Sequence, residues 1–397
     1  MRSTQVVDSI TKVGKKEWDR LAADNVVVSH GWLRTLEETY VVDLKPRYFL
    51  SHEGERLVGA TVAYFSRPTE EVQTLDDIMF GRLKKAVSRL GFSFLPALLC
   101  SPIRGQGNQL LVDKSLDRRE RNLIMAELLD ALEAIARSEN LPLCFLSVPE
   151  EEVELRNLLK RRGYGGALAF PSFYLDVKWR SFDAYIADIK RVSNNMARNV
   201  TKEINLNRRA GVRIEQLDDI RAHSGRLYEL ADAHWFEYNR RRFPYTPAFF
   251  ETVCEHLGDG ATIYAAFKES VLIGFLLLLR KDKRAYAMEV GIDRDLGDRN
   301  ATYFNLNYYT PLSDAIENGT KGIHFGCGAR DVKLRRGCEK TDLYQYFRSG
   351  KRVKNLALQP FFAFYSMWVR RKWRSGLKDP VSRIWVDRAE RGDSGGP

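Results

Sequence analysis

Residues 48–65 read YFLSHEGERLVGATVAYF, and residues 264–279 read YAAFKESVLIGFLLLL. In both, apolar β-formers flank a short polar turn, His52 to Glu55 in the first and Lys268 to Ser270 in the second, so each predicts a β-hairpin. The predicted strands are 48–50 with 57–65, and 264–267 with 271–279. Gly59 follows the aliphatic pair Leu57-Val58 as Gly274 follows Leu272-Ile273. A helix and a strand come next in each half. Leu123, Ile124, Leu128, Ala131, Leu132 and Ile135 recur at helical spacing and lead to a buried-type strand at 143–148. Residues 303–316 are also helical in pattern, Asn318-Gly319 stops them, and 322–326 is the next strand. The order hairpin, helix, strand thus occurs twice, roughly 200 residues apart, which predicts a duplicated α/β unit.

Between the copies, Gly163, Gly165, Gly166 and Pro171 punctuate the chain. A strand at 172–178 follows, then one long helix with Phe182, Ile186, Ile189, Met196, Val200 and Ile204 on one stripe. Its other face carries Lys190, Arg191, Arg198, Lys202, Arg208 and Arg209, and Gly211 ends it. That face is either solvated surface or a track for a phosphate backbone. The predicted organisation is a first domain over 1–170, a second, catalytic one over 171–350, and a basic aromatic helix and tail over 351–397.

Of 397 residues 44% are hydrophobic, enough for a full core in each copy. The first residues lack the apolar run of a secretory signal, and the apolar stretch at 361–369 is about half of what spans a bilayer, so the expectation is a soluble, cytoplasmic protein. Five scattered cysteines, an odd count with no CxxC pair, fit a reducing compartment. His324 and Cys327 have a metal-like spacing with no second pair, so no metal site is expected. The net charge is +11, and residues 351–397 hold eleven Lys and Arg against four Asp and Glu. Such an end suits RNA, an anionic membrane face or a phosphate-rich cosubstrate, or serves solubility alone.

A hairpin with an internal glycine, then a helix, then a strand ending in a Gly-rich loop resembles the GNAT acyltransferase superfamily. The tandem arrangement resembles its Fem-like branch, which includes peptidoglycan aminoacyltransferases. The residues that carry this are Ser29-His30-Gly31-Trp32-Leu33 with Leu36-Glu37, the stretch 94–107, the basic helix 190–209, and 285–337 with His324-Phe325-Gly326-Cys327-Gly328, Lys333 and Arg336-Gly337. The resemblance implies two tandem GNAT-like domains, each a mixed central sheet flanked by helices. It also implies transfer of an acyl group from acyl-CoA, or of an aminoacyl group from charged tRNA, to an amine. Either donor would bind as a substrate, with no tightly held cofactor. The superfamily's phosphate loop usually reads Gln or Arg, two residues, Gly, one residue, Gly or Ala; here Arg294 and Gly297 keep the interval but Arg299 stands in the last place.

Such a transfer requires a held carbonyl, a base for the amine, and a stabilised oxyanion. Glu289, among apolar neighbours on a predicted strand, is one candidate base and Asp331 another. Lys333 and Arg336 follow the Gly-rich loop, where four of seven residues are cationic, and Lys333 is the leading catalytic candidate. Arg294, Gly297, Arg299, Asn300 and Arg336 are the candidates for binding a donor phosphate, since amides at a helix start attract anions. His234, Glu237 and Arg240 to Arg242 form either an acceptor wall or one side of an amphipathic helix. Cys327 with His324 as its base is disfavoured, because residues three apart on a strand face opposite sides. The aromatic run from Phe361 to Trp368 with its basic flank either packs on the second domain or rests on a membrane or RNA. The expected function is an amide-forming transferase acting on an amine acceptor, a small molecule or a cell-wall precursor. The competing reading is a non-catalytic binder that holds RNA or a partner on its basic surfaces.

Overall fold

A computed structural model describes residues 2–89, 93–297 and 300–375. The chain divides into two compact units, Met1–Phe170 with Asp342–Arg371, and Pro171–Thr341 with Lys372–Pro397. The strands in chain order are β1 (Arg2–Val7), β2 (Arg47–Glu53), β3 (Arg56–Ser66), β4 (Ala97–Cys100), β5 (Leu111–Val112), β6 (Leu143–Pro149), β7 (Gly165–Leu168), β8 (Ser172–Asp176), β9 (Val212–Gln216), β10 (Ala261–Lys268), β11 (Val271–Lys281), β12 (Arg284–Ile292), β13 (Gly322–Gly326), β14 (Glu339–Thr341) and β15 (Leu343–Arg348).

The first unit holds a sheet of order β1-β2-β3-β4-β6-β15-β7, with β5 beside β3. Among the described residues its one parallel pairing is β4 with β6, over Leu98↔Leu143, Leu99↔Cys144 and Cys100↔Phe145. The helix Arg118–Ser138 packs on this sheet through Ile124, Leu128, Leu129 and Leu132, all buried. Asp117 caps that helix, taking the Glu120 amide while Glu120 returns to the Asp117 amide.

In the second unit the order is β14-β8-β13-β12-β11-β10-β9, and among the described residues the one parallel pairing is β12 with β13. Its core gathers Phe173, Tyr264, Ile273, Leu276, Leu306, Leu312 and Ile323. Two mixed sheets, each with one parallel pair and a hairpin beside it, make this a tandem GNAT-like α/β fold.

Register shows how closely the copies match. Ser51 faces Gly59, and the next pair is His52↔Leu57, so Val58 is bulged. Ala266 faces Gly274, and the next pair is Phe267↔Leu272, so Ile273 is bulged in the same place. Both glycines are needed for close approach. A Cβ at Gly274 would lie 2.6 Å from Ile292 Cδ1, and one at Gly59 would run into Ile124.

Three sequence expectations need correction. The segment 343–350, read as part of the second domain, supplies β15 to the first unit's sheet, between β6 and β7. The long basic helix is two, Phe182–Val192 and Asn194–Arg209. Ser193 breaks it by leaving helical geometry and capping the second with its side chain, which accepts from the Met196 amide. The helix expected at 303–316 is interrupted by a π-turn, Asn305–Tyr309, before Thr310–Glu317 resumes. The aromatic helix Arg352–Ser375 buries Leu358, Phe362, Tyr365 and Val369 in a cluster of the first unit, while Trp373 belongs to the second unit's core. Among the described residues, no helix is long and apolar enough to cross a membrane. Residues 376–397, the rest of the basic tail, lie outside the described residues.

Candidate active site

The register between β12 and β13 stops after Arg284↔Gly322, Ala285↔Ile323 and Tyr286↔His324. Beyond that point, among the described residues, 287–292 pairs with β11 alone, so the two parallel strands part. β12 is also bulged here: Leu277 faces Glu289 and Leu278 faces Ala287, leaving Met288 extra. A bulge re-aims the side chains beside it. Glu289 is 4% exposed, and Trp235 Nε1 donates to its Oε2 at 2.9 Å. Trp235 lies on Ile220–Asn239, the helix read from sequence as an acceptor wall or amphipathic surface.

The helix after β12 starts irregularly. Ala301 adopts φ 55° ahead of Thr302–Phe304, and the π-turn follows at once. π-turns widen a helix by one residue and recur at functional sites. Pro311 accounts for part of it, because it has no N–H to give to a carbonyl one turn back. The turn brings Asn307 Nδ2 to the Tyr303 hydroxyl at 3.3 Å, and Tyr303 and Tyr308 lie 6.2 Å apart edge to face. Burial pushes both phenols above their ordinary range, so they remain neutral donors.

At the end of β13 the chain turns at Gly326, φ 68°, and enters the short helix Arg330–Arg335. His324 is fixed at both nitrogens: the Gly326 amide donates to Nδ1 at 3.2 Å, so Nε2 carries the proton toward Ser172 Oγ, also 3.2 Å away. Burial holds its pKa down to about 3, and its ring stacks on Tyr286 at 4.3 Å. It is therefore a neutral structural link. Cys327 is exposed, and no metal-binding cluster exists among the described residues.

Lys333 is 4% exposed. Its ammonium donates to the Phe325 carbonyl and, at 3.0 Å, to the Gly326 carbonyl. Burial lowers its pKa to about 8. An ammonium has three N–H groups, so one remains for a ligand. Asp331, two residues earlier in the same short helix, has a buried Oδ1 with no hydrogen-bond partner. A buried acceptor left unmatched costs stability and marks a place where a ligand or water completes the bonding.

The other expected site residues lie elsewhere. Arg336 is a core cation. Its Nη2 pairs with Glu203 at 2.7 Å, its Nε donates to Tyr309 at 3.0 Å, and the guanidinium lies 4.3 Å over the Phe304 ring. It anchors the π-turn to Asn194–Arg209, which corrects its expected place at a donor phosphate. At the predicted phosphate loop the amides of Asp295, Leu296 and Gly297 are bonded locally. The Asp293 carboxylate takes the amides of Asp295 and Leu296 at 3.1 and 3.2 Å, and its carbonyl takes the Gly297 amide at 2.8 Å. Arg294 pairs with Glu237 at 2.5 Å, and Asn300 donates to the Leu296 carbonyl at 2.9 Å. A phosphate arriving here would meet a carboxylate and occupied amides. Arg299 lies outside the described residues. Sequence reasoning missed Trp235 as the partner of Glu289 and missed the π-turn, for which Pro311 inside a helical pattern was the available signal.

The FemAB_like family, described as peptidoglycan biosynthesis/recognition, matches residues 9–363. No protein of curated function matches the sequence. A crystal structure of FemX aligns at 12% identity with a TM-score of 0.57, covering 89% of this chain and 100% of that one. A crystal structure from Agrobacterium fabrum, named as the C-terminal domain (DUF2156) of a lysylphosphatidylglycerol synthetase, aligns at 11% identity with a TM-score of 0.51, covering 86% of this chain and 94% of the other. At such identities the likeness shows the fold alone.

Proposed function

Because the chain belongs to the FemAB-like family, we propose that it forms an amide by transferring an aminoacyl group from charged tRNA to an amine acceptor. The observation that carries this is the parting of β12 and β13, with Glu289 on one strand and Lys333 and the unmatched Asp331 oxygen following the other. In the proposed reaction the acceptor nitrogen attacks the acyl carbonyl carbon. The new C–N bond forms, the ester C–O bond to the tRNA hydroxyl breaks, and the nitrogen's proton passes to Glu289 or Asp331, which hands it on to the leaving oxygen and is restored as a carboxylate. The spare N–H of Lys333 steadies the oxyanion.

Two features favour tRNA over acyl-CoA as the donor. In the loop expected to hold a pyrophosphate, the amides of Asp295, Leu296 and Gly297 are already taken. Lys190, Arg191, Arg198, Lys202, Arg208 and Arg209 are all exposed, and among the described residues none ion-pairs with a carboxylate. Arg198, Lys202 and Arg209 share one stripe of their helix, a repeated positive charge suited to a phosphate backbone. The acceptor suggested by the family is a cell-wall precursor amine.

The test is mass spectrometry of reactions supplied with mixed charged tRNAs or mixed acyl-CoAs, with and without ribonuclease. Product that vanishes on ribonuclease treatment is expected. Product made from acyl-CoA and indifferent to ribonuclease would overturn the donor. Arg198→Gln with Lys202→Gln should raise the KM for charged tRNA about three- to tenfold and flatten its salt dependence, with kcat unchanged.

A further inference from the structure

The helix Arg352–Ser375 has two apolar faces. Leu358, Phe362, Tyr365 and Val369 point inward and are buried. That face is also pinned by polar contacts. Ser366 Oγ accepts from the Leu168 amide at 2.9 Å, and the Tyr365 hydroxyl donates to the Ile78 carbonyl at 3.2 Å. On the opposite side stand Leu356, Phe364 and Met367, 65%, 62% and 61% exposed, with Trp368 beside them at 39%. At helical spacing Leu356, Pro360, Phe364 and Met367 form one stripe, and Arg370 and Arg371, both exposed, continue it by a turn. A helix apolar all round is normally buried all round. This one is covered on one side only.

Charge says what covers the other side. Residues 351–375 contain seven Lys and Arg and no Asp or Glu. Beyond them, 376–397 balances four Lys and Arg against four Asp and Glu. The basic excess of the C-terminal end is therefore confined to the helix that shows the apolar stripe. A protein partner of ordinary composition has no need of so uniform a charge. Aromatic and aliphatic side chains backed by unopposed cations are what an interfacial helix uses to rest on anionic lipid.

We infer that the outer face of Arg352–Ser375 docks this protein on the surface of an anionic bilayer, with Phe364, Met367 and Trp368 entering the headgroup boundary and Arg370 and Arg371 meeting lipid phosphates. The inference stands apart from the transfer reaction, since none of these residues belongs to the site between β12 and β13. It gives the concentrated charge of residues 351–375 a physical purpose.

The experiment is flotation of the full-length chain with vesicles of phosphatidylcholine alone or mixed with phosphatidylglycerol. The protein should float with the phosphatidylglycerol vesicles, stay behind with phosphatidylcholine, and dissociate as salt is raised. Phe364→Ser with Met367→Ser, checked for unchanged circular dichroism and thermal unfolding, should weaken binding about tenfold or more. Arg370→Gln with Arg371→Gln should weaken it by a smaller factor and reduce the salt dependence. Failure of the unaltered protein to float, or equal flotation of the Phe364/Met367 variant, overturns the inference. So does a concentration-dependent dimer that the same variant disperses, because the face would then serve self-association.

Discussion

The two parallel pairs, β4 with β6 and β12 with β13, begin alike and end differently. Each keeps three register pairs before its strands part. In the first unit the opening is stopped up by its own chain. Residues 101–109 fold back so that Gln109 Nε2 and Ser101 Oγ reach the Leu146 carbonyl at 2.7 and 3.3 Å, and the Gly107 amide reaches the Ser147 carbonyl at 3.1 Å. Thr61 closes it further by donating to the Gln109 carbonyl at 2.6 Å. In the second unit β12 carries a carboxylate bound to an indole, while a lysine bonded to two β13 carbonyls and the unmatched Asp331 oxygen follow β13. Hairpin, bulge and glycine recur in both units, whereas the side chains proposed to carry the chemistry stand in one. A scaffold can be copied whole, whereas a reactive site is costly to keep where it is not used.

The contrast breaks most readily at Lys333. Lys333→Ala should lower turnover about a hundred- to a thousandfold with the fold intact, whereas Gln109→Ala, at the stopped opening, should leave turnover per folded molecule within about twofold. Equal losses would mean that both openings take part. With an ammonium held at about 8 as the donor, activity should also fall as pH rises past that value, and Lys333→Arg should remove that limb.

A sharper look at the stopped side comes from Glu152. The Asn108 amide, in the loop that fills the first opening, donates to Glu152 at 2.5 Å, and burial raises the carboxyl from 4.5 to about 7. Between those values the folded protein holds a proton that the unfolded chain releases, so stability falls as pH rises through the window. Urea unfolding from about pH 4.5 to about pH 7.5 should show this decline, and Glu152→Gln should remove about 3 kcal/mol of it. An identical slope in the variant would show that Glu152 does not titrate there.

The smallest expected effect tests what the copies share. Gly59→Val and Gly274→Val should each destabilise by about 1–3 kcal/mol through overpacking, read as a shift in denaturant midpoint. A marked asymmetry would show that one hairpin has drifted from the common packing.

Much of the scaffold was legible because hairpins, helices and their glycines are written locally, in alternation and spacing. The two bulges could be placed only once register was known. Ser193 was hidden because the apolar stripe from Phe182 to Ile204 keeps phase across the break. For the site, Glu289 and Lys333 were visible as residue types in suggestive places, but their partners Trp235 and the β13 carbonyls are tertiary. The misplaced residues fail for the same reason. Nothing near Arg294 or Arg336 in sequence announces that Glu237 and Glu203, from distant helices, will claim them. The strand at 343–348 is equally mute about which sheet will accept it.

That last strand has a consequence for how the molecule is made. β15 fills the slot between β6 and β7, while β8, which directly follows β7 in the chain, fills the equivalent slot beside β13. A ribosome must therefore read past residue 348 before the first unit's sheet can close, by which point every strand of the second unit's sheet has already been made, so the sheet begun first is not the sheet completed first.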